Sequence, residues 1–150
     1  MSRRDQIRMS EAEVRSFLER SKTIILCSTG PRGYPHPMPM WFRLRSDGSI
    51  EMTTYRKSQK VQNLRRDPRV SLLAESGAEY SELRGVVVYG RAELIDDHAT
   101  VVETLIAASG QKSSEEARGA VAANAAKRLL IRVAPERIVS WDHSKLGGVY

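Results

Sequence analysis

Thr53-Thr54-Tyr55-Arg56-Lys57-Ser58-Gln59-Lys60-Val61-Gln62-Asn63-Leu64-Arg65-Arg66-Asp67-Pro68-Arg69-Val70 is the stretch that decides how this chain is read. It begins where an alternating run, with Ile50, Met52 and Thr54 on one face, gives out, so a strand leads into it. Pro68 disfavours helical backbone at Asp67 and closes it. Between them a short helix is predicted, with Ser58 as N-cap and Val61 and Leu64 as the apolar stripe. From Arg56 to Arg69 there are six Lys and Arg residues against one acid, in a chain whose whole net charge is +6. Nearly all the excess positive charge is therefore concentrated at one strand-to-helix junction. A helix start offers free backbone N–H groups and the positive end of the dipole, which suits a phosphate. Ser58 and Lys60 would add a hydroxyl and an ammonium at the same spot. Charge alone favours a solvated basic face; the order strand, Ser-x-Lys, helix, Asp-Pro, strand is what argues for an anion site.

Upstream, Ser46-Asp47-Gly48-Ser49 is a hairpin signal joining the Ile50–Tyr55 strand to a strand over Tyr34–Arg45. In that strand Met38, Met40, Phe42 and Leu44 alternate with Pro39, Trp41, Arg43 and Arg45. Pro35, Pro37 and Pro39 confine its first half to a sheet edge or an irregular stretch. Thr23–Thr29 is a buried strand, followed by the turn Gly30-Pro31-Arg32-Gly33. Ser10 to Glu13 has the form of a capping box for a helix over Glu11–Arg20, whose stripe is Val14, Phe17 and Leu18. Residues 1–9 form an N-terminal extension.

Downstream, Arg69–Glu75 is the next strand, 75–81 a loop, and Leu83–Ile95 a long strand with Gly85 and Gly90 as candidate bulges. Asp96-Asp97 caps a helix carrying Val101, Val102, Leu105 and Ile106 that stops at Gly110. A second, alanine-rich helix starts at Ser113/Ser114 and ends near Lys127. Leu129–Val133 is a strand broken by Pro135, Arg137–Trp141 is the last strand, and 144–150 is a tail. Strands dominate and do not alternate strictly with helices, which excludes parallel βαβ winding. The prediction is a mainly β (α+β) single domain over residues 1–150, a closed or half-closed antiparallel barrel with peripheral helices.

A hydrophobic fraction of 41% and a charged fraction of 28% are those of an ordinary globular domain. The single cysteine, Cys27, excludes an intramolecular disulfide and reads as a buried structural thiol. No apolar run is long enough for a membrane span or a signal segment, so a cytoplasmic location is expected. The pI of 9.8 invites an anionic partner. Sparse aromatics argue against single-stranded nucleic acid. There is no Gly-rich phosphate loop and no nucleophile elbow, and His36, His98 and His143 are too scattered for a zinc site.

The quoted stretch resembles the signature of the pyridoxamine-phosphate-oxidase-like split β-barrel superfamily. Arg84-Gly85-Val86-Val87-Val88-Tyr89-Gly90-Arg91-Ala92 resembles its long central strand. Pro135-Glu136-Arg137-Ile138-Val139-Ser140-Trp141-Asp142-His143-Ser144-Lys145-Leu146 is similar to the closing strand and tail of its flavin/deazaflavin oxidoreductase branch. The resemblance implies a phosphate held by Ser58 and Lys60. It implies Thr53, Thr54 and Tyr55 beside a tricyclic ring, with Met38, Pro39, Met40 and Trp41 as the other wall, partly through backbone groups. Arg56, Lys57 and Arg65 would meet the acidic tail of coenzyme F420. It further implies a homodimer with cofactor between subunits, Trp141 and Lys145 reaching the partner's site. The tail lacks the basic residues with which pyridoxamine phosphate oxidases proper hold their substrate.

The expected function is therefore hydride transfer between F420 and a small, conjugated organic substrate, the chemistry belonging to the cofactor. FMN in the same fold is the alternative; a non-catalytic basic module binding nucleic acid or another anion is the alternative of another class.

Overall fold

The computed structural model describes residues 1–109 and 114–149. The stop at Gly110 and the Ser113 start expected from the sequence lie outside the described residues. In chain order the elements are α1 (Arg3–Ile7), α2 (Glu11–Arg20), β1 (Thr23–Thr29), β2 (Pro35–Trp41), β3 (Arg43–Leu44), β4 (Ile50–Tyr55), α3 (Gln59–Arg66), β5 (Arg69–Ser76), β6 (Arg84–Ile95), α4 (His98–Ser109), α5 (Glu115–Ala125) and β7 (Arg128–Asp142). Short 3-10 turns occupy Tyr80–Glu82 and His143–Leu146.

All seven strands form one antiparallel sheet in the order β2-β1-β5-β6-β7-β4-β3. The two edge strands, β2 and β3, are separated in sequence by Phe42 alone. Neighbouring Cα atoms are about 3.8 Å apart, so the sheet must curl until its two edges almost meet. The barrel is closed by the chain itself rather than by a ladder between its edges, which makes it a split β-barrel. This corrects the single strand expected over Tyr34–Arg45: it is two strands, one on each side of the split.

The three prolines of β2 do not disturb its pairing. Alternate residues of a strand point their N–H groups the same way, and β2 has a partner, β1, on one side only. Pro35, Pro37 and Pro39 can thus lack their N–H on the open side while His36, Met38 and Met40 bond to β1. The same prolines block the addition of a further strand there.

Inside the curl lie Ile24 and Leu26 of β1, Ile50 and Met52 of β4, Leu72 of β5, Val86 and Val88 of β6, and Leu129, Ile131 and Val133 of β7, all buried. Val61 and Leu64 of α3 close one mouth, and Val14, Phe17 and Leu18 of α2 join the same core. Leu130 points outward between Leu129 and Ile131, and is buried by Val101 of α4 and Ala125 of α5. The helical insertion therefore packs on the outer face of β7, and β7 reads as a continuous apolar run because both its faces are covered there.

Pro135 does not end a strand. β7 runs unbroken through it, with Gly90 opposite Pro135 and Tyr89 opposite Arg137, so Glu136 is the extra residue of a bulge. The expected bulge at Gly90 is present; at Gly85 the register is regular. Cys27 is only half-buried, on the outer face, because Ile24, Leu26 and Ser28 take the inner one. The N-terminal extension contains α1, capped by Ser2 and Asp5, and its Ser-x-x-Asp pattern was the available signal. β5 continues to Ser76, shortening the expected loop. Among the described residues no helix is long and apolar enough to cross a membrane.

Candidate functional site

β4 delivers the chain to the mouth of the barrel, and α3 turns back across it. Ser58 is the N-cap, as the sequence predicts, but its hydroxyl caps nothing: Ser58 Oγ is buried without a hydrogen-bond partner among the described residues. Lys60, in the first turn, points inward and is only 9% exposed. Its Nζ donates to Thr54 Oγ1 at 3.1 Å. A neutral hydroxyl is its one partner among the described residues, which leaves two of its three protons unspent. Burial pushes the Lys60 ammonium below its ordinary value, and repulsion from Arg128 adds to this. Across the mouth, Asn63 is fully buried and donates Nδ2–H to Ser28 Oγ at 3.1 Å, while its Oδ1 accepts from Gln59 Nε2 at 2.8 Å. Lys60 on β4 and Asn63 on β1 thus anchor α3 at two points of the rim. Asn63 carried no signal in the sequence beyond its place on the helix.

Strand alternation sorts the remaining predicted residues. Thr54 faces inward, beside Lys60, whereas Thr53 and Tyr55 face outward. Tyr55 is exposed, with the Arg128 guanidinium 4.3 Å from its ring centroid. Met38 and Met40 lie on the inner side of β2, opposite Leu26 and Ile24. Pro39 and Trp41 lie on the outer side, Trp41 being 82% exposed. The side chains of these four residues are thus divided between the two faces of β2.

Arg56 is already occupied. Its Nε and Nη2 donate to both oxygens of Asp96 at 2.8 and 2.7 Å, and Nη1 donates to the Ala126 carbonyl at 3.1 Å. The ion pair raises the Arg56 pKa and lowers that of Asp96. Asp97 alone caps α4, accepting from Thr100 N at 3.0 Å. Arg56 thus fastens the helical insertion to the start of α3, whereas Lys57 and Arg65 are exposed.

A second charged constellation was not legible at all. Glu51, on the outer side of β4 and 1% exposed, accepts from Arg43 at 2.8 Å, Arg45 at 2.7 Å and Arg132 at 2.7 Å. Burial raises its pKa, but the three guanidiniums outweigh this and the net direction is down. The cross-strand partners Arg43 and Arg132 come from β3 and β7, so the carboxylate ties three strands together. Only the strand order reveals that they meet.

A groove of about 1030 Å³ lies away from α3, between the N-terminal helices and the second half of β7, where Arg137, Ile138 and Trp141 line it. Trp141 lies across Gly85, and Lys145 Nζ donates to Glu13 Oε2 at 2.7 Å. None of Thr54, Ser58 and Lys60 borders this groove. Among the described residues no group of three or more His, Cys, Asp and Glu side chains is placed to hold a metal ion.

A family model described as pyridoxamine 5'-phosphate oxidase matches residues 10–142. The chain belongs to this family. Among solved structures, a conserved hypothetical protein from Mycobacterium tuberculosis is 38% identical over 100% of this chain and 95% of its own, with a TM-score of 0.87. An F420 reductase is 25% identical over 82% of this chain and 93% of its own, with a TM-score of 0.63. An FAD binding protein from Mycobacterium smegmatis, 18% identical over 89% of this chain and 94% of its own with a TM-score of 0.65, shares the fold. A search of curated proteins found no match.

Proposed function

We propose that this chain is a cytoplasmic oxidoreductase that binds coenzyme F420 at the start of α3 and transfers hydride between it and a small conjugated substrate. The carrying observation is the pair formed by Ser58 and Lys60 at one helix start: among the described residues the buried hydroxyl has no partner and the buried ammonium has one, neutral, acceptor. Buried polar groups are ordinarily satisfied, so two such groups at one helix start fit an anion that completes them. When bound, the deazaflavin supplies hydride at its central ring; the chain supplies position and shielding. Ser58 and Lys60 hold the phosphate, Thr54 orients Lys60, and α3 shuts the barrel mouth behind them. Lys57 and Arg65, both exposed, remain available to an acidic tail. The likeness to an F420 reductase supports the deazaflavin. FMN is the second reading, since its phosphate would meet the same Ser58 and Lys60.

The same reading places the site in a homodimer. On the outer face of the sheet, Pro39, Ile25, Leu73, Val87 and Val139 stand in register across five adjacent strands. This apolar row would be covered by a second copy, as a two-fold interface. Titrating purified protein with F420 and with FMN, followed by calorimetry and absorbance, tests the proposal. Submicromolar to micromolar binding of F420 is expected. Binding of FMN alone would move the protein to the second reading, and binding of nucleic acid with neither cofactor would overturn both.

A further inference from the structure

We infer that Arg128, the first residue of β7, is a third anion-binding residue of the α3 site, held in place by Tyr55 and Asn124. The inference deepens the proposed function and rests on that reading for the identity of the ligand. Its basis is geometric. Tyr55 and Arg128 are cross-strand partners at the ends of β4 and β7. The guanidinium lies 4.3 Å from the Tyr55 ring centroid, and its Nε donates to Asn124 Oδ1 at 3.1 Å. Stacking and one hydrogen bond fix the plane of the fork. Its two terminal nitrogens have no hydrogen-bond partner among the described residues, and they are the pair that grips a phosphate or carboxylate edge-on.

The electrostatics point the same way. Arg128 stands at this helix start: its carbonyl accepts from Arg56 Nη2 at 3.4 Å, and the carbonyl of its cross-strand partner Tyr55 accepts from Ser58 N at 3.0 Å. Its charge repels the Lys60 ammonium, adding to the lowering that burial causes. Asp96, the carboxylate of this region, is taken up by Arg56. Two cations brought together at a half-buried helix start raise each other's energy until an anion arrives. This also gives the helical insertion a task. Asn124 belongs to α5, and the Arg56 clamp on Asp96 and on the Ala126 carbonyl holds the end of that helix. The insertion positions Arg128.

The test compares wild type with Arg128→Gln, Arg128→Lys and Asn124→Ala, using F420, FMN and inorganic pyrophosphate as separate probes in calorimetry. Arg128→Gln is expected to weaken every probe that wild type binds by about tenfold or more. It should also flatten the salt dependence of binding, because one charge fewer meets the anion. Arg128→Lys should recover part of the affinity. Asn124→Ala, which loosens the fork and keeps its charge, should lose about threefold. If wild type binds F420 or FMN and Arg128→Gln binds it equally well with an unchanged salt slope, Arg128 is not a ligand although the cofactor reading stands. If pyrophosphate binds and depends on Arg128 while neither cofactor binds, the anion site stands and the cofactor reading falls. Equal losses in Arg128→Gln and Asn124→Ala, tracking their melting temperatures, would reduce Arg128 to a structural link and overturn the inference. Should Arg128→Gln not fold, Arg128→Lys decides alone: undiminished affinity overturns the planar grip, and a several-fold loss at unchanged melting temperature supports it.

Discussion

Lys60 Nζ donates to Thr54 Oγ1 across 3.1 Å inside the barrel mouth, so the lysine of the Ser-x-Lys helix start is buried rather than solvated. A buried cation with a neutral partner costs the fold energy, and removing it should not unfold the protein. Lys60→Met is expected to keep or raise the melting temperature. It should weaken F420 or FMN by about one to two orders of magnitude, the equivalent of roughly 1.5–3 kcal/mol for a charge-assisted hydrogen bond. Arg69→Ala should leave affinity unchanged, since the Arg69 guanidinium is spent on Asp67 at 2.8 Å. The pH dependence has a definite sign. The folded state holds the Lys60 proton less tightly than the unfolded chain, whose lysine titrates near 10.5. Stability therefore gains from this group as pH rises from the lowered folded value towards 10.5, and anion affinity falls over the same range. Calorimetry and thermal melts as a function of pH check both, and Lys60→Met should lack both trends.

Glu51 makes the opposite case. Its carboxylate satisfies three guanidiniums and ties β3, β4 and β7 together, and its pKa is depressed in the folded state. Its contribution is complete above the unfolded carboxyl value of 4.5 and is lost as pH falls through the folded value. Glu51→Gln should cost about 3–5 kcal/mol, because three cations are left facing a neutral amide. It should also remove part of the acid-induced loss of stability. Denaturant titrations at neutral and acid pH would measure both. An unchanged midpoint at neutral pH would show the cluster to be a solvated surface network.

What the sequence disclosed and what it hid divide along one physical line. Signals carried by neighbours in the chain were legible: the cap at Ser10, the helix start at Ser58, the Asp-Gly hairpin, and the inward alternation of Ile50, Met52 and Thr54. Facts that depend on which strands become neighbours were not. The meeting of Glu51 with Arg43, Arg45 and Arg132 needs the strand order, and so does the stacking of Arg128 on Tyr55. Pro135 misled because a proline ordinarily ends a strand, whereas here a bulge at Glu136 absorbs it. Asp96 looked like half of a cap because its partner, Arg56, lies forty residues away.

Gly85 and Gly119 should respond to alanine in opposite directions. A Cβ on Gly85 would come within 2.1 Å of the Trp141 ring, whereas one on Gly119 meets nothing within 4 Å. Gly85→Ala must displace the indole and should destabilise by about 1–3 kcal/mol, the usual cost of overpacking. Gly119→Ala, inside α5, should stabilise by roughly 0.5–1 kcal/mol through helix propensity alone. Thermal melts rank the two, and a red-shifted tryptophan emission in Gly85→Ala alone would report the displaced ring. Equal melting temperatures would mean that Trp141 does not pack on Gly85.

Leu73 stands at the centre of the outer apolar row, between Ile25 and Val87, and is half-buried within one protomer. Among the described residues no helix covers this row in the way α4 and α5 cover Leu130. A charge placed there meets water in a monomer but would be forced into an apolar contact in a dimer, where an unpaired buried charge costs several kcal/mol. Leu73→Glu should therefore keep the barrel folded and split the assembly. In sedimentation velocity at micromolar concentration, wild type should run at twice the protomer mass and the variant at one. If the second copy helps to enclose the cofactor, F420 affinity should fall together with dimer content in Leu73→Glu, although Ser58 and Lys60 are untouched. A wild type that runs as a monomer with cofactor bound would remove the partner from the site. A dimer that survives Leu73→Glu would move the interface elsewhere, with the groove beside Arg137 and Trp141 as the next surface to mutate.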